Sequence, residues 1–418
     1  MLNRSKSIFV AILTFFSQAA FSQTKFDINS NQLDGRIQQD INDIENGIRP
    51  VQSAVPFLNI SPNARASGMG DQGVATSPDE YSTFWNPGKL AMIQKDFGVG
   101  ICYNPWLRKL VNDMSLSYLS GYYRLRKEDV IGASLTYFNL GSITFTDQNA
   151  QTLFDYNPRE FAAALSYSRL LGRGFSAGVS IKYIYSNLAG DIIQGGSQSK
   201  PAQTPAADLG FYYNKDLVIA DRDFNLALGT SITNIGGKVS YSTTSRQDFI
   251  PTMFRLGTVG TYELDDFNKF SLGIEASKLL VPSSVIEPVI VKTPDGRDSI
   301  ARVRLVTPNK SLLGGMFGSF GDAPFGAKEE LQEIMLSFGA EYWYDDLFAV
   351  RAGYFYENPH KGNRKYLTVG LGLRYQIFGL DFSYLVATDR TNPLAETLRF
   401  ALSFNFEKTN KSTQSVVE

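Results

Sequence analysis

From residue 97 onward, apolar and polar positions alternate with period two, the repeat that sends successive side chains to opposite faces of a strand. Phe175, Ala177, Val179, Ile181, Tyr183 and Tyr185 alternate with Ser176, Gly178, Ser180, Lys182 and Ser186, interrupted by Ile184. Phe224, Leu226, Leu228 and Ile232 alternate with Asn225, Ala227, Gly229, Ser231 and Thr233. Leu367, Val369, Leu371, Leu373 and Tyr375 continue the theme, as do Leu398, Phe400, Leu402, Phe404 and Phe406. The pattern predicts fourteen strands, near 97–103, 113–123, 130–140, 158–169, 174–186, 206–214, 223–233, 252–262, 269–278, 331–343, 347–356, 365–376, 379–388 and 396–406. Most have the ~9 to 11 residues that a tilted strand needs to cross a bilayer, whereas strands of soluble proteins run ~5 to 6.

The connections alternate in length. Those at 124–129, 170–173, 263–268, 344–346 and 377–378 are short, and those at 104–112, 141–157, 187–205, 234–251, 279–330, 357–364 and 389–395 are longer. The connection at 215–222 is of middling length and fits least well. Short periplasmic turns, long extracellular loops and an even strand count together mark an outer-membrane barrel, a pattern that a soluble sandwich has no reason to produce. The expected fold is therefore all-β, a 14-stranded antiparallel transmembrane β-barrel over 97–406 with a long extracellular loop at 279–330 and a periplasmic tail at 407–418. Closure removes the unpaired strand edges that lipid could not satisfy. Tyr122, Tyr123, Tyr342, Trp343, Tyr344, Tyr354 and Tyr356 fall at strand ends, at the expected headgroup level.

The first 22 residues read as a secretory signal: Arg4 and Lys6, then an apolar run from Ile8 to Phe16, then Ala20-Phe21-Ser22 before Gln23. Cleavage at Ser22/Gln23 sends the chain across the inner membrane. The mature chain holds no run of the ~18 apolar residues that a membrane-spanning helix needs.

Residues 23–96 differ in kind. Ile37, Ile41, Ile44 and Ile48 share one face of a short helix ended by Gly47 and Pro50, within an expected periplasmic extension over 23–50. That stretch reads either as a docking helix or as a frayed tail. Residues 51–96 are rich in Gly, Pro and Ala and contain Gly68-x-Gly70-x-x-Gly73, a formal dinucleotide fingerprint. The fingerprint works only between a strand and a helix, and here Pro62 precedes it and Pro78 follows. The expected alternative is compact irregular backbone that plugs the periplasmic mouth of the barrel, with Gly68, Gly70, Gly73, Trp85, Asn86 and Pro87 as candidate plug residues.

Composition narrows the function. Across 418 residues, 40 Lys and Arg balance 41 Asp and Glu, which leaves no basic footprint for nucleic acid. One His and one Cys do not supply converging metal ligands or a base beside a nucleophile. No catalytic, metal or cofactor site is therefore expected. Cys102, between Ile101 and Tyr103, is expected to be a small residue facing the lumen.

The blocks NISPNARASGMGDQGVATSPD, FWNPGKLA, YNPWLRKLVNDMSLSYLSGYY, NLGSITFTD, IKYIYSNLAGD and FGSFGDAPFGAKEELQE resemble the PorV family, also called LptO, of the type IX secretion system of Bacteroidetes. The resemblance runs from about Val51 to Phe406. It implies a FadL-like barrel of fourteen strands with an N-terminal segment inside and outer-membrane lipid around it, and a non-enzymatic role. It further implies three kinds of protein partner: the giant translocon barrel, the C-terminal signal domains of cargo, and an attachment complex with a PorU-like sortase.

Cargo leaving a translocon sideways must meet an extracellular surface, and 279–330 is the longest available. Two β-rich runs flank Pro294-Asp295-Gly296 and predict a projecting hairpin. Leu312, Leu313, Met316, Phe317, Phe320 and Phe325 among glycines form a candidate partner-binding surface, costly if left in water. The same loop folded back would instead cap the barrel. Two rivals remain: a FadL-like channel for hydrophobic small molecules, and an outer-membrane lipid hydrolase whose single candidate imidazole is His360.

Overall fold

The computed structural model describes residues 42, 44, 46, 47, 49–108, 113–146, 151–190, 193–194, 197–243, 247–292, 298–387 and 397–407. The signal segment, Ile37, Ile41, Ile48, the hairpin turn at Pro294-Asp295-Gly296 and the tail from 408 onward lie outside them. The chain divides into two compact units. One holds 54–277, 335–356 and 364–418; the other holds 278–334, 357–363 and the residues up to 53.

Fourteen strands close into an antiparallel barrel: β1 (Phe97–Pro105), β2 (Ser115–Arg124), β3 (Asp129–Asn139), β4 (Arg159–Gly172), β5 (Phe175–Asn187), β6 (Ala202–Ile219), β7 (Arg222–Gly236), β8 (Met253–Glu263), β9 (Asn268–Leu279), β10 (Met335–Tyr344), β11 (Phe348–Tyr356), β12 (Lys365–Tyr375), β13 (Phe378–Ala387) and β14 (Leu398–Phe406). Each pairs with its sequence neighbour, and β1 closes on β14 from Phe97↔Phe406 to Tyr103↔Phe400. Every predicted strand has its counterpart, with ends moved by a few residues. The tenth begins at Met335 rather than 331, because Ala327–Gln332 is helical.

The weakest connection is corrected. The sequence places a connection of middling length at 215–222, but β6 and β7 stay paired out to Ile219↔Arg222. The chain reverses on Ala220 and Asp221, both at positive φ (52° and 60°), which is the two-residue hairpin geometry. All connections at that end of the barrel are then short.

Parity sorts the side chains between two surroundings. Ile101, Leu165, Ile181, Val369 and Leu371 point outward and are exposed, while Ser120, Ser168, Ser176, Ser180 and Ser403 point inward and are buried. Apolar outward and small polar inward is the pattern of a wall between lipid and lumen. Ile184, the break in the alternation of β5, faces inward and packs on Phe57 and Leu58. Cys102 is buried with Ala64, Tyr81 and Tyr118 on the lumen side.

The second unit contains an antiparallel hairpin, Val285–Lys292 with Asp298–Val306. Two short helices follow, named α3 (Leu312–Gly318) and α4 (Ala327–Gln332) after two in the lumen segment, α1 (Ala64–Gly68) and α2 (Ser82–Trp85). Asn42, Ile44 and Asn46 are helical.

Candidate functional site

Residues 54–93 lie inside the barrel, and the sequence explains how so much irregular backbone fits there. An inward row of glycines crosses the strands, with Gly178 opposite Gly210, Gly229 opposite Gly257, and Gly339 opposite both Gly273 and Gly353. A Cβ on Gly353 would lie 2.1 Å from the nitrogen of Gly70, one on Gly229 2.1 Å from the carbonyl of Val74, and one on Gly178 2.5 Å from the carbonyl of Pro87. Glycine inside a strand marks where another backbone comes close, and here the lumen segment is that backbone.

The predicted plug residues converge on this row. Gly68 meets Gly370, and Gly70, at φ 74°, donates its N–H to Thr368 Oγ1 at 2.9 Å. The N–H groups of Gly73 and Val74 donate to Glu275 at 2.8 and 2.9 Å. Trp85 covers Gly73 and donates from Nε1 to Asn63 at 2.9 Å. Asn86 donates to the carbonyls of Val74 (3.0 Å) and Phe211 (2.9 Å) and accepts from the N–H of Gly88 (2.9 Å). Pro87 packs against Gly178 and Gly210. Of the three glycines of the formal fingerprint, Gly68 ends α1 and Gly70 and Gly73 follow it; Gly68 and Gly70 press on the barrel wall and Gly73 lies under Trp85, and among the described residues no strand precedes them. The segment does not stop at one mouth: it runs from the Leu116 end of β2 to Asp96, whose N–H donates to Phe406 O at the other end.

A buried ionic network, absent from the sequence reading, ties the segment to the wall. Arg65 of α1 donates twice to Glu341 of β10, at 3.0 and 2.7 Å. Arg351 of β11 donates to Glu341 at 2.6 Å and to Asp381 of β13 at 2.8 Å. Arg374 pairs with Asp381 at 2.8 Å. A second chain joins Asp71 to Arg399 (2.7 Å) and to the hydroxyl of Tyr366, which donates at 2.6 Å. Lys89 donates to Gly73 O at 2.8 Å and to Thr76 at 3.0 Å. Charges removed from water require such partners, and the pairings of Arg65 with Glu341 and of Asp71 with Arg399 and Tyr366 link residues far apart in sequence. The available signal was parity: Glu275, Glu341, Arg351, Asp381 and Arg399 all occupy inward positions of long strands.

In the second unit, Glu333 accepts from Lys278, Lys361 and Ser283, and Glu329 accepts from Lys361 at 2.6 Å and pairs with Arg49 at 3.3 Å. Burial works to raise the Glu333 carboxyl, but Lys278 and Lys361 outweigh it and hold it below the usual carboxylate range. For Glu330 burial prevails and the shift is upward. The candidate partner residues are split. Leu313 and Phe317, four apart on α3, are 59% and 68% exposed, while Met316 is buried. Leu312, Phe320 and Phe325 are half-buried, and Arg49 stacks over Phe325 at 4.3 Å. Leu331 of α4, not singled out by sequence, is 69% exposed. His360 Nδ1 lies 3.2 Å from Gly47 O.

A closed fourteen-strand antiparallel barrel with an apolar outer wall and one rim of short turns is an outer-membrane β-barrel protein. Within that class the chain belongs to the PorV family: the family described as type IX secretion system protein PorV matches over residues 43–286. It is thus an outer-membrane component of the type IX secretion system. No curated protein matches it by sequence. Among solved structures, it is similar to the toluene transporter TodX of Pseudomonas putida (13% identity, 84% of this chain and 99% of that one, TM-score 0.48). It is also similar to the toluene transporter TbuX of Ralstonia pickettii (14%, 86% and 99%, 0.46) and to a FadL homologue of Pseudomonas aeruginosa (10%, 83% and 99%, 0.41).

Proposed function

We propose that the protein acts as a non-enzymatic adaptor on the outer membrane: it receives the C-terminal signal domain of cargo leaving the giant translocon barrel and passes it to a PorU-like attachment complex. The observation that carries this reading is the exposure of Leu313 and Phe317 on one face of α3, within a long extracellular connection. Aromatic and aliphatic side chains held out into water on a short helix are costly unless a partner covers them. The lumen supports an adaptor over a channel for hydrophobic small molecules, because its inward glycines and the inward Glu341, Glu275 and Arg399 are taken up by residues 54–93. The His360 ring meets the main chain at Gly47 through Nδ1, and the hydrolase reading would still require a nucleophile within reach of Nε2.

Changing Leu313→Asp and Phe317→Asp together is expected to leave barrel assembly intact while cargo or translocon no longer co-purifies. Unchanged recovery of both partners would remove α3 from the account.

A further inference from the structure

We infer that the mature N-terminus is displayed on the cell surface, not in the periplasm. The argument comes from the direction in which the lumen segment runs and does not depend on the proposed adaptor role.

Within the barrel unit, the start of the segment meets only one end of the wall. Val55, Phe57 and Leu58 pack on Leu116 at the start of β2, Phe138 near the end of β3, Ile184 near the end of β5, Ala202 at the start of β6, and Val239 and Ile250 in the β7–β8 connection. The N–H of Ala54 donates to Phe249 O at 2.8 Å, and Asn104, near the end of β1, donates to Pro62 O at 2.7 Å. All of these positions lie at the end that carries the long connections. The segment then passes the glycine row at residues 68–74 and reaches the opposite end. There Leu90 and Ile93 pack on Tyr122 and Val130, Asp96 donates to Phe406 O at 3.0 Å, and Arg124 donates to Asp96 O at 2.7 Å. The opposite end carries the two-residue turn at Ala220-Asp221 and the other short connections. Short turns face the periplasm, so residue 54 stands at the extracellular end and residue 96 at the periplasmic end.

The second unit points the same way by itself. The N–H of Arg49 donates to His360 O at 2.6 Å, and a cavity of about 140 Å³ is lined by Arg49, Gln52, Ser284, Thr307, Glu329 and Lys361. Its partners belong to the β9–β10 and β11–β12 connections, both of the long set.

The 31 residues from 23 to 53 would span about 100 Å if fully extended, so length alone does not forbid a return to the periplasm. The lumen does: a second strand of chain would have to pass the row where Gly229, Gly339 and Gly353 already touch the first. The expected periplasmic extension over 23–50 is therefore reversed to an extracellular one, and the barrel must close around a chain already threaded through it.

The test is cysteine labelling on intact cells with a membrane-impermeant maleimide, in a Cys102→Ser background. Asn46→Cys is expected to label as fully as Asn309→Cys in the long connection, while Asp266→Cys in a short turn labels only after permeabilisation. Labelling of Asn46→Cys only after permeabilisation would overturn the inference. Should position 46 resist the reagent under both conditions, an epitope inserted between Thr24 and Lys25 decides: antibody binding on intact cells supports the surface N-terminus, and binding only to opened cells refutes it.

Discussion

Gly353→Val is expected to abolish accumulation of the folded barrel. Even the first side-chain carbon would sit 2.1 Å from Gly70 N and 2.3 Å from the carbonyl carbon of Met69, both main-chain atoms that no rotamer change can move aside. Over-packing of a core costs about 1 to 3 kcal/mol when side chains absorb it, and the cost rises when backbone must move. The backbone here is tied on both sides, by Thr368 at Gly70 and by Glu275 at Gly73 and Val74. Ala352→Val is the matched control, since Ala352 lies on the same strand but faces outward. The readout is the fast-migrating folded band on unheated electrophoresis, lost for Gly353→Val and kept for Ala352→Val. A normal folded band for both would mean that the segment is loosely held.

Glu341→Gln carries the second-largest effect. Three charge-assisted hydrogen bonds converge on this carboxylate, two from Arg65 and one from Arg351, whose side chain is fully buried. Removing one partner of a buried ion pair leaves an uncompensated charge, at a cost of about 3 to 5 kcal/mol. An amide in the same place presents N–H groups to guanidinium N–H groups and so adds to the loss. Removing Arg65 and Glu341 together, as Arg65→Met with Glu341→Met, is expected to cost less than Glu341→Met alone, because the pair is removed rather than broken. The urea or temperature midpoint of the folded band provides the measurement. A single variant as stable as the parent would show that the network contributes nothing.

These two sites also mark where sequence reasoning reached and where it stopped. Strand length and parity are local properties, so β5 and β12 could be read from a dozen consecutive residues, and the wall followed. The β6–β7 turn was misplaced because a strand that outruns the bilayer is free to carry Lys215, Asp216 and Asp223 without breaking its pairing. The glycines of the lumen segment were legible as tightly approached backbone, yet the strand glycines opposite them were counted only as small residues. Arg65 and Glu341 are separated by 276 positions, and no local pattern announces such a pairing. Nor does hydropathy carry a direction: a segment that enters from the surface and one that enters from the periplasm have the same composition, and the sense appears only when Phe57 and Asp96 are seen at opposite ends.

The central claim, that this barrel works as a protein-handling component of the type IX system, is tested most directly by purifying the native protein from detergent-solubilised outer membrane. The chains and small molecules that come with it are then identified. The account predicts a giant barrel together with proteins that share a common C-terminal domain. A bound hydrophobic solute with no protein partner would contradict it and favour the channel.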